Sequence, residues 1–459
     1  MTAPAATRRL RLALASRPGL RRPDLRRPDL QRPDACQPDG LQPDLLQPDG
    51  LQPDPWRPGV QRRAALTAAG ALALGPWTAA QTQPAPVKPA TPPTTPPALP
   101  ALRRGLNLSH WFEYEGGQAL TGPELRQLYA LGFDHVRLPV DPVLGGWHPL
   151  AGSRLAALPA LQAAVALALD AGLAVVIDLH LAPADKPGLE ARPDAEAALA
   201  LLWRQLAAAF AGTPTDRVAF ELFNEPQYYG LRAGGRWPAV QRNLLAAVRS
   251  VAPQHLVLLT GPQGGSLDAL LQMTPEPDAR LAYVFHSYEP FLFTHQGAAW
   301  LDTRYTTAGL RSGLHYPAAA QASAPAPRLA IPHPRAAQEL EAYLAQGGWG
   351  PQRLRALADR AGAWARQHGV RVLCNEFGVI RAQVDAASRY RWIADMRSAL
   401  EANQIGWTLW DYTDIFGITA QSARLGFAGA RTLDPAALPA LGLVTGAPAT
   451  VSAAVRTKG

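Results

Sequence analysis

Cysteine is almost missing: Cys36 and Cys374 are the only two in 459 residues. Two thiols make at most one bridge, so no disulfide framework organises the chain. No His-x3-His or His-Glu-x-x-His pattern supplies further ligands, which excludes a structural zinc site and leaves no metal or other cofactor to expect. Cys374, inside the apolar run Val372-Leu373-Cys374, reads as a small buried hydrophobe rather than a reactive thiol. Lysine and glutamate are both missing from residues 1–80, which hold 12 Arg and 7 Asp and so carry +5 of the formal +8. The remainder carries 32 basic and 29 acidic side chains with no Lys/Arg run, which excludes a basic nucleic-acid face. No apolar stretch reaches the roughly 20 residues of a membrane span.

What the leader does contain is proline at a fixed interval. Pro-Asp recurs every five residues from Pro23 to Pro53. Proline at that period breaks helices and sheet ladders alike, so residues 1–60 are expected to be disordered low-complexity sequence. It reads as a spacer or as a repeat translated ahead of a later start, for which Val60 is a candidate. Arg62-Arg63, the apolar run Ala64–Trp77 and the small residues Thr78-Ala79-Ala80 then make an export signal over 61–80. A periplasmic or extracellular destination follows, with the twin-arginine route left open. Residues 81–101 form a Pro/Thr-rich linker, semi-rigid and extended, and the folded domain is expected over 102–459.

From there eight short β-branched or apolar runs alternate with helical patterns. They are RGLNL (104–108), HVRLPV (135–140), LAVVIDLH (173–180), VAFELFNEP (218–226), HLVLLTG (255–261), LAYVFHSYEP (281–290), RVLCNEFG (371–378) and GWTLWDY (406–412). Thr121 caps one helix, with Pro123 in its first turn and Gly132 as its stop, and Asp194 is expected to cap another that reaches about Phe210. Alternation of this kind predicts a parallel sheet, and the count of eight predicts closure into an α/β (β/α)8 barrel. An open doubly wound sheet needs a Gly-rich turn after the first strand, and GLNLSHW has none.

Polar and aromatic residues gather at the expected C-terminal strand ends: Arg137, His180, Asn224 with Glu225, His286 with Tyr288, Glu376, and Trp410. In a (β/α)8 barrel those ends converge on the face that carries the active site. Glu225 and Glu376 are expected to end the fourth and seventh strands and to face each other across the mouth. Two such carboxyl groups are what glycoside hydrolysis needs, one to protonate the leaving oxygen and one to attack or stabilise the anomeric carbon. Asn224 suits a sugar 2-hydroxyl, and Arg137 suits a carboxylate kept ionised as a nucleophile. His286 and Tyr288, two apart, point to one side and suit the orientation of a glutamate. Trp410, and Trp111 after the first strand, offer flat faces for a pyranose, whereas His148 and His295 read as loop histidines.

These residues carry a resemblance. From about Arg104 to Ile418 the chain resembles glycoside hydrolase family 5, the cellulase family of retaining (β/α)8 barrels, through VRLPV, IDLH, FNEP, HSY, CNEFG and TLWDY. The resemblance implies Glu225 as acid/base and Glu376 as nucleophile, with Arg137, His180, Asn224, His286, Tyr288 and Trp410 in support. It implies a cellulase acting on β-1,4-glucan with retention, with β-1,3-glucan and mannan as neighbouring substrates, in a monomer without stable membrane insertion. The stretch after His180, LAPADKPG, and the long segment 289–350 depart from the family's usual lengths. A carbohydrate-binding or exopolysaccharide accessory protein on a related barrel is the competing class, and loss of either glutamate would favour it. A metal-dependent hydrolase needs more ligands than His180, His286 and Asp178 supply.

Overall fold

The computed structural model describes residues 98–443, apart from 114–118, 148–154, 191, 229–234, 299–309, 324–327, 330–339, 346–347, 382, 414 and 420–430. The Pro-Asp repeat, the export segment, the linker up to residue 97 and His148 lie outside the described residues.

All eight expected strands form. They are β1 (Arg104–Asn107), β2 (His135–Val140), β3 (Ala174–Leu179), β4 (Val218–Glu221), β5 (Leu256–Thr260), β6 (Leu281–His286), β7 (Arg371–Glu376) and β8 (Gly406–Leu409). Each pairs in parallel with its neighbours, and β8 bonds back to β1 to close the barrel. Helices α1 (Gly122–Ala130), α2 (Leu158–Asp170), α3 (Pro193–Phe210), α4 (Trp237–Arg249), α5 (Leu267–Leu271), α6 (Pro351–His368) and α7 (Ala386–Ala402) each follow one strand in turn. After β8 the described residues hold one short helical turn, Ala437–Ala440. Among the described residues no helix is long and apolar enough to cross a membrane.

Helix termini follow the local chemistry. Thr121 and Glu124 make a reciprocal capping box at α1, Glu124 Oε2 accepting the Thr121 N–H at 2.8 Å. The cap of α3 is Arg192 and not Asp194. Pro193, with its fixed φ and no N–H to satisfy, takes the first helical position, and Asp194 in the first turn pairs with Arg192 at 2.6 Å.

The period of two along the strands divides the core. One set of side chains (Val175, Ile177, Phe220, Val257, Leu259) faces the helices. The alternate set (Ala174, Val176, Ala219, Leu258, Val284, Leu373) fills the barrel interior. Two residues further along the interior set, apolar gives way to polar: Asn107, Arg137, Asp178, Glu221 and Asn375 are all buried there. Gly105 belongs to this interior set because a Cβ on it would lie 2.1 Å from the ring of His135, which crosses over β1 to Thr408 of β8 at 2.9 Å.

The long segment between β6 and α6 has structure of its own. It holds the short helix Phe291–Thr294 and an antiparallel pair, Leu310–Ser312 with Arg328–Leu329. Tyr316, buried within it, fastens it to α7, its hydroxyl donating to Asp395 at 3.0 Å and its N–H to Ser388 Oγ at 3.0 Å.

Candidate active site

Arg137 is the hub of the polar layer. It is the third of six residues in β2 rather than at its end, and its guanidinium is wholly buried inside the barrel. Nε and Nη2 make a fork to Glu221 at 2.7 and 2.9 Å. Nη2 also meets Asp178 Oδ2 and Asn224 Oδ1, each at 2.9 Å, while Nη1 donates to Asn107 Oδ1 at 2.9 Å and to Glu376 Oε1 at 2.8 Å. A planar, permanently charged fork is the side chain that satisfies so many acceptors at once.

Glu376 ends β7, as expected, and is 6% exposed. Its Oε2 accepts the Tyr288 hydroxyl at 3.0 Å. Glu225 is not in a strand: β4 stops at Glu221, and Glu225 lies four residues on with φ at 45°, in the left-handed region that side chains avoid. That turn swings its carboxyl over the mouth, where it stays 37% exposed. His286, the last residue of β6, brings Nδ1 to 2.7 Å from Glu225 Oε1 and 3.4 Å from Glu376 Oε2. Ligand atoms of Glu225, His286 and Glu376 all lie within 4.8 Å of one another. One oxygen of Glu225 and one of Glu376 thus approach within 4.8 Å, closer than the roughly 6.5–9.5 Å that leaves room for an inverting water.

Burial acts to raise the pKa of Glu225, but the His286 hydrogen bond and charge, with Lys186 and His180 behind them, hold its carboxyl below the usual range. For His286 burial acts downward, and the charges of Glu376 and Glu225 overcome it and raise the imidazole. One proton is thus shared within the His286–Glu225 pair, mostly on the imidazole in the unliganded site.

His180, just past β3, is driven down to about 3 by burial and by Arg137, so it is neutral. Its Nδ1–H donates to Asp178 Oδ2 at 2.7 Å and its Nε2 accepts from Asn224 Nδ2 at 3.0 Å. Asn224, held at both ends, keeps one amide N–H without a partner among the described residues. Trp410 is 8% exposed and stacks on His180 with ring centroids 5.8 Å apart. Trp111 is half-buried and stacks on Phe112, not on a carboxylate, with centroids 5.7 Å apart. Its neighbour Glu113 comes within 3.6 Å of His180 Nε2, which puts this segment at the mouth. Gly378 is required behind Glu376, since a Cβ there would lie 2.2 Å from the Trp410 carbonyl oxygen. His295 stands in the wall behind Tyr288, ring centroids 5.0 Å apart, and burial lowers it to about 3. Cys374 is fully buried and its thiol is pushed up by desolvation.

Sequence reasoning missed Asn107, Glu221 and Asn375, and it used Asp178 only as a weak metal ligand. Asn375 Nδ2 donates to both oxygens of Glu221, at 2.8 and 2.9 Å, and Asn107 Nδ2 ties β7 to β8 through carbonyls at 3.1 Å. The usable signal was a polar residue two positions beyond a small or apolar one inside an otherwise apolar strand. Asp178 sends both its hydrogen bonds through Oδ2, leaving Oδ1 without a partner among the described residues, and burial raises it to about 6.

Glu225, His286 and Glu376 could each offer one atom to a cation. The fit is poor: both oxygens of Glu376 already accept from Arg137 and Tyr288, and a guanidinium 2.8 Å away repels a second positive charge.

The cellulase family, glycosyl hydrolase family 5, matches residues 103–415. The chain belongs to that family. Endoglucanase 3 of Fibrobacter succinogenes is 28% identical over 351 residues, covering 70% of this chain and 51% of that protein. The chain thus spans about half the length of that relative. Endoglucanase C of Acetivibrio thermocellus is 26% identical over 338 residues, covering 68% of this chain and 91% of that protein. Among solved structures, Thermotoga maritima Cel5A in complex with cellobiose superposes with a TM-score of 0.58 at 22% identity, covering 74% of this chain and 97% of that one. At that identity the likeness speaks for the barrel alone, and the family 5 site rests on the geometry above.

Proposed function

We propose that this family 5 protein is a glycoside hydrolase that cleaves internal β-1,4 bonds of glucan by double displacement with retention. The observation that carries it is the pair Glu225 and Glu376, with carboxylate atoms within 4.8 Å at the barrel mouth. Relatives named endoglucanases support glucan as the polymer.

Glu376, paired with the guanidinium at 2.8 Å and aligned by Tyr288, attacks the anomeric carbon. The glycosidic C–O bond breaks as Glu225 gives its proton to the leaving oxygen. When substrate displaces water from the mouth, the charged His286–Glu225 pair is disfavoured and the shared proton moves onto the carboxyl. Glu225, again anionic, then takes a proton from water, whose oxygen displaces Glu376 and restores the starting configuration. The free amide N–H of Asn224 serves the 2-hydroxyl, and Trp410 and Trp111 line the sugar path. The segment 61–80 supports action after export, consistent with a polymer too large to enter a cell.

Azide distinguishes the two glutamates. Glu225→Ala with azide should turn over a substrate bearing a good leaving group to a β-glycosyl azide, because a small anion replaces base-activated water. Glu376→Ala should give an α-glycosyl azide by direct displacement. Swapped products reverse the roles, and full activity in both variants overturns the reading.

A further inference from the structure

The loop after β3 contains a charge that the mechanism above leaves unused. Lys186 is one of only three lysines among the 44 basic residues, with Lys88 and Lys458, and the only one between residues 98 and 443. It opens the short helix Lys186–Glu190 and is 2% exposed. A buried ammonium is costly unless an anion faces it, and the carboxylate it meets is Glu225, Nζ lying 4.0 Å from Oε2. Oε1 of the same group is taken by His286.

The other end of that helix holds the backbone of the same turn. Glu190 Oε1 accepts the N–H of Gln227 at 2.6 Å and Oε2 accepts the N–H of Tyr228 at 2.9 Å. This turn needs holding, because Glu225 (φ 45°) and Tyr228 (φ 30°) are both left-handed without being glycine. The opposite side is anchored to the β5 loop, where the N–H groups of Gln263 and Gly264 donate to the carbonyls of Gln227 and Pro226 at 2.9 and 3.0 Å. Glu190 is in turn fixed by Arg236, which donates to its carbonyl at 3.2 Å and to Glu196 at 2.6 Å.

We propose that Lys186 and Glu190 are positioning residues for the acid/base carboxylate, Glu190 by clamping the turn that carries it and Lys186 by setting a positive charge beside its free oxygen. The inference rests on Glu225 being the acid/base. The charged and titratable groups that face Glu225 are His286 from β6, Glu376 from β7, His180 and Lys186 from the β3 segment, and Asp178 and Arg137 from within the barrel. Of the cations among these, Lys186 is the one that touches no other carboxylate within 4.0 Å among the described residues. It is therefore the one that can be removed without opening the Arg137 network.

The test is kcat/KM against pH for the full chain on two aryl β-cellobiosides, one with dinitrophenol and one with phenol as leaving group. This ratio reports bond cleavage, where the acid matters only for the poor leaving group. Removing a cation makes the shared proton harder to lose, so Lys186→Met should move the alkaline limb up by about 1 pH unit. Glu190→Ala should lower kcat/KM on the phenyl substrate by about 10-fold or more relative to the dinitrophenyl one, with Glu190→Gln, which keeps one acceptor oxygen, in between. An alkaline limb that stays put in Lys186→Met, or equal losses on both substrates in the Glu190 variants, overturns the proposal. Glu225→Ala run alongside separates the two layers. If it shows no leaving-group dependence, the acid/base assignment itself fails and the proposal falls with it. If it does show one, failure of the Lys186 and Glu190 variants counts against the positioning role alone.

Discussion

Glu225 and Glu376 are bridged by a single imidazole nitrogen, His286 Nδ1, at 2.7 and 3.4 Å. Two carboxylates this close repel each other, and a cation between them lowers that cost.

A stability profile against pH follows from that bridge. Glu225 is held below its ordinary value of 4.5 and His286 above its ordinary value of 6.5. The depressed carboxyl contributes stability above 4.5 and loses it as pH falls through its folded value; the raised imidazole contributes below 6.5 and loses it as pH rises through its own. The melting-temperature gap between wild type and His286→Gln should therefore be widest between those two values and narrow on either side. Because Glu225 is partly exposed, screening limits the gap to about 1 kcal/mol. A gap that is flat from acid to alkali contradicts the charged bridge.

Arg137→Ala should be far more damaging. It leaves Asp178, Glu221 and Glu376 buried together without their counter-charge, a loss of about 3–5 kcal/mol. Thermal melting should show the loss, and Arg137→Lys should recover little of it, since an ammonium cannot reproduce the fork to Glu221.

Gly378→Ala tests the packing behind the nucleophile. The added methyl meets the Trp410 carbonyl oxygen at 2.2 Å, and relieving that contact must displace either the β7 end or the tryptophan. A cost of about 1–3 kcal/mol, with kcat reduced more than melting temperature alone explains, is the expected result.

Removal of residues 1–80 should leave kcat/KM and melting temperature unchanged within error, because proline at every fifth position precludes a packed core. Loss of activity in the purified shortened chain contradicts the assignment of the leader as a dispensable segment.

The barrel, and the two glutamates that meet at its mouth, were legible in the residues alone. Eight apolar runs alternating with helical patterns determine a closed parallel sheet, since period-two and period-3.6 hydrophobicity report directly on local structure. Acidic side chains at the ends of two such runs stand out against any packing role. Three-dimensional closure decided the rest. Arg137 looked like a rim residue, yet the pleat turns it inward, and its partners come from four different strands whose register no linear pattern records. Glu221 reads as an ordinary strand residue until Asn375, 154 positions away, is brought to 2.8 Å. Lys186 and Glu190 sit in a stretch with neither periodicity nor motif. Their relation to Glu225 exists only because the β3 loop packs against a left-handed turn whose shape is set by tertiary contacts rather than by local propensity.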